Sequence, residues 1–124
     1  MKELGRPART GEAFVTPAFN LPSRYVLHTV GPVVEGPLTG VHRRQLAACY
    51  RACLTSALQH GCRSIAFCCI STGVFHFPPA PAAQIAVETV RAFCTAHPEL
   101  QVVFNVFSAT DEAIYRKLLY KEAL

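Results

Sequence analysis

One stretch near the middle of the chain limits the possible folds more than any other: Ser64-Ile65-Ala66-Phe67-Cys68-Cys69-Ile70-Ser71-Thr72-Gly73-Val74-Phe75-His76-Phe77-Pro78. Its opening run does not alternate polar with apolar residues, which predicts a strand buried on both faces over 64–70. Ser71, Thr72 and Gly73 then bring hydroxyls, backbone N–H groups and a position tolerant of unusual φ/ψ. Together they suit a backbone cradle for an anion such as phosphate. The same triplet also occurs where a buried strand simply turns. Pro78, Pro79 and Pro81 break the chain before an apolar periodic segment. Strand, small-residue loop and helix, in that order, match a ligand loop at the carboxyl edge of an α/β sheet. The stretch carries neither the Gly-Lys-Ser/Thr of a P-loop nor the G-x-G-x-x-G dinucleotide spacing.

A length of 124 residues fits a single domain, 1–124, and with 51% hydrophobic and 16% charged residues there is ample material for a core. The longest apolar runs are strand-length, and Met1-Lys2-Glu3-Leu4-Gly5 does not open a signal peptide. A soluble cytoplasmic protein with no membrane partner is therefore expected. Six cysteines form neither a C-x-x-C pair nor a ribbon-like repeat, so they read as reduced core residues, with no metal expected in this chain. The net charge of +4 comes from scattered Lys and Arg without aromatic interleaving. That balance suits an anionic ligand and does not call for nucleic acid.

Taken in order, Ala13–Ala18 and Tyr25–Val30 read as strands, the first an edge strand because of Pro17. His28, alone in the second, reads as a structural core histidine. Leu46, Cys49, Tyr50, Cys53 and Ala57 repeat at helical spacing over 41–60, and Gly61 stops that helix. Ala83, Ala86, Val87, Val90 and Cys94 repeat it from about residue 80 until His97-Pro98. A strand follows over 101–107. A last helix near 111–121 is capped from Ser108 or Thr110 and buries Ile114 and Leu118. A helical crossover implies that strands 64–70 and 101–107 are parallel, so both end on one edge of the sheet. The Ser71–Phe75 loop and Phe107 can then face one ligand. An amide cradle beside an aromatic suits a nucleotide-like molecule, although Phe107 equally fits plain core packing.

These residues resemble the macrodomains, which bind ADP-ribose. The matching blocks are Thr10-Gly11-Glu12-Ala13, Pro17-Ala18-Phe19-Asn20-Leu21-Pro22, Tyr25-Val26-Leu27-His28-Thr29-Val30-Gly31-Pro32, the Ser64–Pro78 stretch, and Phe104-Asn105-Val106-Phe107 ahead of Tyr115. The wording of Cys68–Pro78 is closest to the zinc-containing, mainly microbial branch, whose members resemble protein-ADP-ribosylhydrolases. The resemblance implies a three-layer α/β/α sandwich with a mixed, partly parallel sheet and ADP-ribose or an ADP-ribosylated protein as partner. Ser71, Thr72, Gly73, Val74 and Phe75 would wrap the diphosphate and distal ribose, with the amides of Val74 and Phe75 on phosphate oxygens. Phe107 would line the adenosine or ribose side, and Phe77 and Pro78 would shape the exit into the helix.

The blocks correspond to the C-terminal half to two-thirds of such a domain. By this resemblance the early strands, the catalytic loop and the Cys and His zinc ligands are expected upstream of Met1. Zinc is then a cofactor of the complete protein only. Cleavage at the proximal ribose would use zinc or an activated water as nucleophile. These residues would bind and orient the substrate; the alternatives are a module that binds ADP-ribose without hydrolysing it and an inactive remnant whose loops are only structural.

Overall fold

The computed structural model describes residues 9–17, 25–70, 76–106 and 108–120. Strands β1 (Ala13–Pro17) and β2 (Tyr25–Thr29) pair antiparallel, with Ala13 opposite Thr29 and Pro17 opposite Tyr25. Helix α1 (Gly40–Gln59) follows and leads into β3 (Ser64–Phe67). Helix α2 (Pro79–Ala96) crosses over to β4 (Gln101–Phe104), which lies parallel to β3 with Phe67 opposite Phe104. Helix α3 (Ala109–Tyr120) comes last. The result is an α/β fold with antiparallel and parallel pairing, as expected from the sequence.

The helices form where apolar side chains recur every three or four residues. Leu46, Tyr50, Cys53 and Leu54 of α1 share one buried core with Ala82, Ala83, Ala86, Val87 and Val90 of α2, and Cys49 and Ala57 of α1 are buried as well. Each fully buried Leu or Val contributes about 1.5–3 kcal/mol. A capping box starts α1: the His42 N–H donates to Thr39 Oγ1 (3.4 Å), and the Thr39 N–H donates to His42 Nδ1 (3.1 Å). Histidine fills the place usually held by Glu or Gln, so the pattern is not visible in the sequence. Pro78 precedes α2 as its N-cap, and the Phe77 ring beside it is buried in the core.

Gly61 ends α1 as its sequence position predicts. The Cys62 N–H bonds the Ala57 carbonyl (2.9 Å) and the Gly61 N–H bonds that of Leu58 (3.0 Å), the paired pattern of a left-handed C-terminal cap. Gly61 has φ +71°, and a Cβ there would meet no atom within 4 Å. Gly61→Ala therefore adds backbone strain without a clash, and the expected loss is about 1–2 kcal/mol, read as a lower urea midpoint at unchanged m-value.

Three expectations are corrected. The strand predicted over 64–70 stops at Phe67 and is buried on one face only; Ser64, Ala66 and Cys68 are exposed. Phe67 packs on Tyr50 of α1, while among the described residues no layer covers the opposite face, where Val103 is 51% exposed. The strand predicted over 101–107 likewise ends at Phe104. On α3 the deeply buried residue is Tyr115, and Ile114 and Leu118 are only half-buried. The Phe104 ring, 5.1 Å from Tyr115, draws that turn of the helix inward.

Candidate functional site

The parallel pair fixes where the site can lie. The Asn105 N–H bonds the Phe67 carbonyl (2.7 Å), closing the ladder at its carboxyl end. Cys68–Ile70 and Asn105–Val106 thus leave the sheet on the same edge, as the crossover argument requires. The sequence-predicted Ser71, Thr72, Gly73, Val74, Phe75 and Phe107 all lie outside the described residues. The structure describes the strand ends that lead to them, together with Phe77 and Pro78 at the entry to α2.

Those strand ends are held by an aromatic column. Tyr50 packs on Phe67 (4.9 Å between ring centroids), Phe67 on Phe104 (6.2 Å) and Phe104 on Tyr115 (5.1 Å). The buried Tyr50 and Tyr115 hydroxyls lie near each other, the first also near the Ile70 backbone and the second near the Cys69 thiol. Burial pushes both phenols well above their ordinary range. The Cys69 Sγ lies 3.9 Å from Asp111 Oδ2, and burial, then the Asp111 charge, raises its pKa. Ser108 caps α3 by accepting the Asp111 N–H at Oγ (3.0 Å), as expected. The arrangement pins Cys69 and Ile70, the last described residues before the Ser71–Phe75 loop. Sequence reasoning assigned Tyr50 to the core and did not find this network. A tyrosine on a buried helical face needs a partner for its hydroxyl, and that was the available signal.

His28 is partnered but exposed, which corrects its reading as a core residue: Nε2 lies 2.9 Å from Thr16 Oγ1, and the ring stacks on Phe14 at 4.7 Å. Zinc, implied only for the complete protein, finds no fitting donor set in what is described. No three His, Cys, Asp or Glu side chains gather among the described residues. Burial raises the Cys49 thiol and pushes Cys53 up to about 12, away from the thiolate that binds metal.

A trough of about 590 Å³ lies between β2 and β3. Cys53, Ser56 and Ala57 of α1 are among its lining residues; Tyr25, His60 and Ser64 mark one end, and Thr29 and Ile70 the other. Cys68 and Ile70 line it at the carboxyl end of β3.

A parallel strand pair joined by a helical crossover, with both carboxyl ends on one edge, is an α/β arrangement of the class whose ligand loops follow the strand ends. A family model for the Macro domain matches residues 1–86, and the chain belongs to the macrodomain family. It is 53% identical, over 96% of its length, to a protein-ADP-ribose hydrolase of Treponema medium, of which it covers 46%. Against a Staphylococcus aureus protein-ADP-ribose hydrolase the identity is 42% over 99% of the chain and 47% of that protein. The chain thus spans about half the length of the curated relatives it matches. Its structure superposes on a macrodomain of Oceanobacillus iheyensis with ADP at TM-score 0.88 and 35% identity, covering 98% of this chain and 64% of that one. A Trypanosoma brucei macrodomain in complex with ADP-ribose gives TM-score 0.81 and 42% identity, over 90% of this chain and 46% of that one. Among the described residues no helix is long and apolar enough to cross a membrane.

Proposed function

We propose that these residues form the ADP-ribose-binding part of a protein-ADP-ribosylhydrolase-type macrodomain. Ser71, Thr72, Gly73, Val74 and Phe75 hold the diphosphate and distal ribose, Gly73 lets the backbone approach, and Phe107 lines the adenosine or ribose side. The observation that carries this reading is the 42% identity to the Trypanosoma brucei macrodomain, whose structure is in complex with ADP-ribose. The net charge of +4 favours such an anionic ligand. The proposed roles are binding and orienting, and no catalytic residue is assigned among these 124. Turnover, with ADP-ribosylated protein as substrate, belongs to the hydrolase named for the relatives. The free cysteines fit work in a reducing compartment such as the cytoplasm.

The test is a thermal melt of the chain with and without ADP-ribose, with AMP as control. At ligand a hundredfold above Kd the stability gain is about 2.7 kcal/mol, and AMP gives less. Gly73→Glu places a bulky anion in the phosphate cradle, and the shift is expected to vanish while the melt without ligand stays cooperative. A sharp melt indifferent to ADP-ribose overturns the reading.

A further inference from the structure

The β3–β4 ladder ends before the proposed ligand segments begin. Its last bond, from the Asn105 N–H to the Phe67 carbonyl (2.7 Å), leaves Cys68–Ile70 on one side and Asn105–Val106 on the other beyond the sheet. Among the described residues no later backbone bond joins these two exits. A side chain joins them instead. The Cys69 thiol donates to Asp111 Oδ2 (3.9 Å), and the Asp111 N–H donates to Ser108 Oγ (3.0 Å). Cys69 stands two residues before Ser71, and Ser108 directly follows Phe107. Asp111 therefore connects the root of one proposed ligand segment to the root of the other.

Each part of this link is held by its surroundings. The first turn of α3 is tied to Ser108 twice, because the Glu112 N–H also donates to the Ser108 carbonyl (3.0 Å). One turn further along α3, Tyr115 is buried against Phe104 of β4, with its hydroxyl near the Cys69 thiol. Burial, and then the Asp111 charge, keep that thiol protonated at neutral pH, so it remains a donor. A thiol is a weak donor, but a charged acceptor in a half-buried setting strengthens the contact.

We propose that Asp111 is a positioning residue for ADP-ribose: through Cys69 and Ser108 it sets the spacing between the Ser71–Phe75 segment and Phe107, so that one ligand meets both. The inference rests on the binding role proposed above, with the diphosphate and distal ribose on the first segment and the adenosine or ribose side on the second. Asp111 itself touches no ligand. A molecule that spans both segments gains from the link, because the spacing is set before binding and its ordering cost does not reduce the affinity. A molecule confined to one segment gains nothing from it.

The experiment measures Kd for ADP-ribose by calorimetry, and for adenosine by NMR titration, on the full chain under reducing conditions, with urea melts alongside. Adenosine reaches only the Phe107 side. Asp111→Ala and Cys69→Ala are each expected to weaken ADP-ribose binding about tenfold, and the double variant no more than either, the mark of one shared link. Adenosine affinity stays within about twofold of its starting value. Cys69→Ser keeps a donor and recovers most of the ADP-ribose affinity. If Asp111→Ala does not melt cooperatively, Cys69→Ala, which leaves the Ser108 cap in place, decides by the same ratio of affinities. A lower urea midpoint with unchanged ADP-ribose affinity gives Asp111 a merely structural role and overturns the inference. Equal losses for the two ligands overturn it as well, as do losses that multiply in the double variant. If the unaltered chain does not bind ADP-ribose, the proposed function falls and this inference with it. If it binds and the variants bind equally well, the inference alone falls.

Discussion

Truncation of Phe67 to alanine lowers the unfolding free energy by about 3–5 kcal/mol. Phe67 sits inside the aromatic column, with Tyr50 of α1 on one side and Phe104 of β4 on the other. Removing it costs the transfer free energy of a buried aromatic. It also leaves a void between elements whose positions depend on one another, so relaxation is partial. A domain of this size has a total stability of roughly 5–15 kcal/mol, so the loss is a large share of the whole. The measurement is a urea titration followed by circular dichroism. Phe67→Leu keeps most of the buried volume and is expected to lose less than half as much. Equal losses for the two variants would show that the aromatic contacts, and not the filled volume, hold β3 to the helices. Phe67→Ala is also expected to weaken ADP-ribose binding, because Tyr50 then loses the ring packed on it below the strand end that leads to Ile70.

Raising the pH above 9 under reducing conditions destabilises the protein steeply. Burial pushes the Cys53 thiol up to about 12, from an ordinary 9.0. Between those values the unfolded chain releases this proton and the folded chain keeps it. Stability therefore falls with pH, because the unfolded state binds fewer protons. Below pH 9 the contribution is fully present, and it is lost as pH rises toward 12. At 1.36 kcal/mol per unit the loss from this one thiol is on the order of 4 kcal/mol. The buried Cys49 is raised in the same direction and steepens the slope. Urea melts at pH 7.5, 9 and 10 test this, and Cys53→Val removes one thiol's share of the slope. A pH-independent midpoint up to 10 would mean that water reaches these thiols in the folded state.

Much of the frame was legible without coordinates because it depends on local rules. The helical spacing of Leu46, Cys49, Tyr50, Cys53 and Ala57 forces one face of α1 inward, and all five are buried. Gly61 stops α1 and Ser108 caps α3, since backbone conformation and orphan N–H groups are settled within a few residues. The parallel pairing of β3 and β4 followed from a crossover too long for a hairpin. That both strands end on one edge of the sheet came with it.

Tertiary structure decided what depends on distant neighbours. An apolar run does not record where a ladder ends; the bond from Asn105 to Phe67 stops β3 three residues short of Ile70. Nor does it record whether both faces are covered, and the exposure of Ala66 and Val103 depends on which layers are present. The burial of Tyr115 ahead of Ile114 and Leu118 follows from where the Phe104 ring lies. The cluster of Tyr50, Tyr115 and Cys69 brings together residues far apart in sequence, which no local pattern encodes. Periodicity and turn chemistry act over a few residues and were fixed by the chain itself. Strand ends, covered faces and the open edge between β2 and β3 depend on which surfaces meet, and only the folded arrangement determines that.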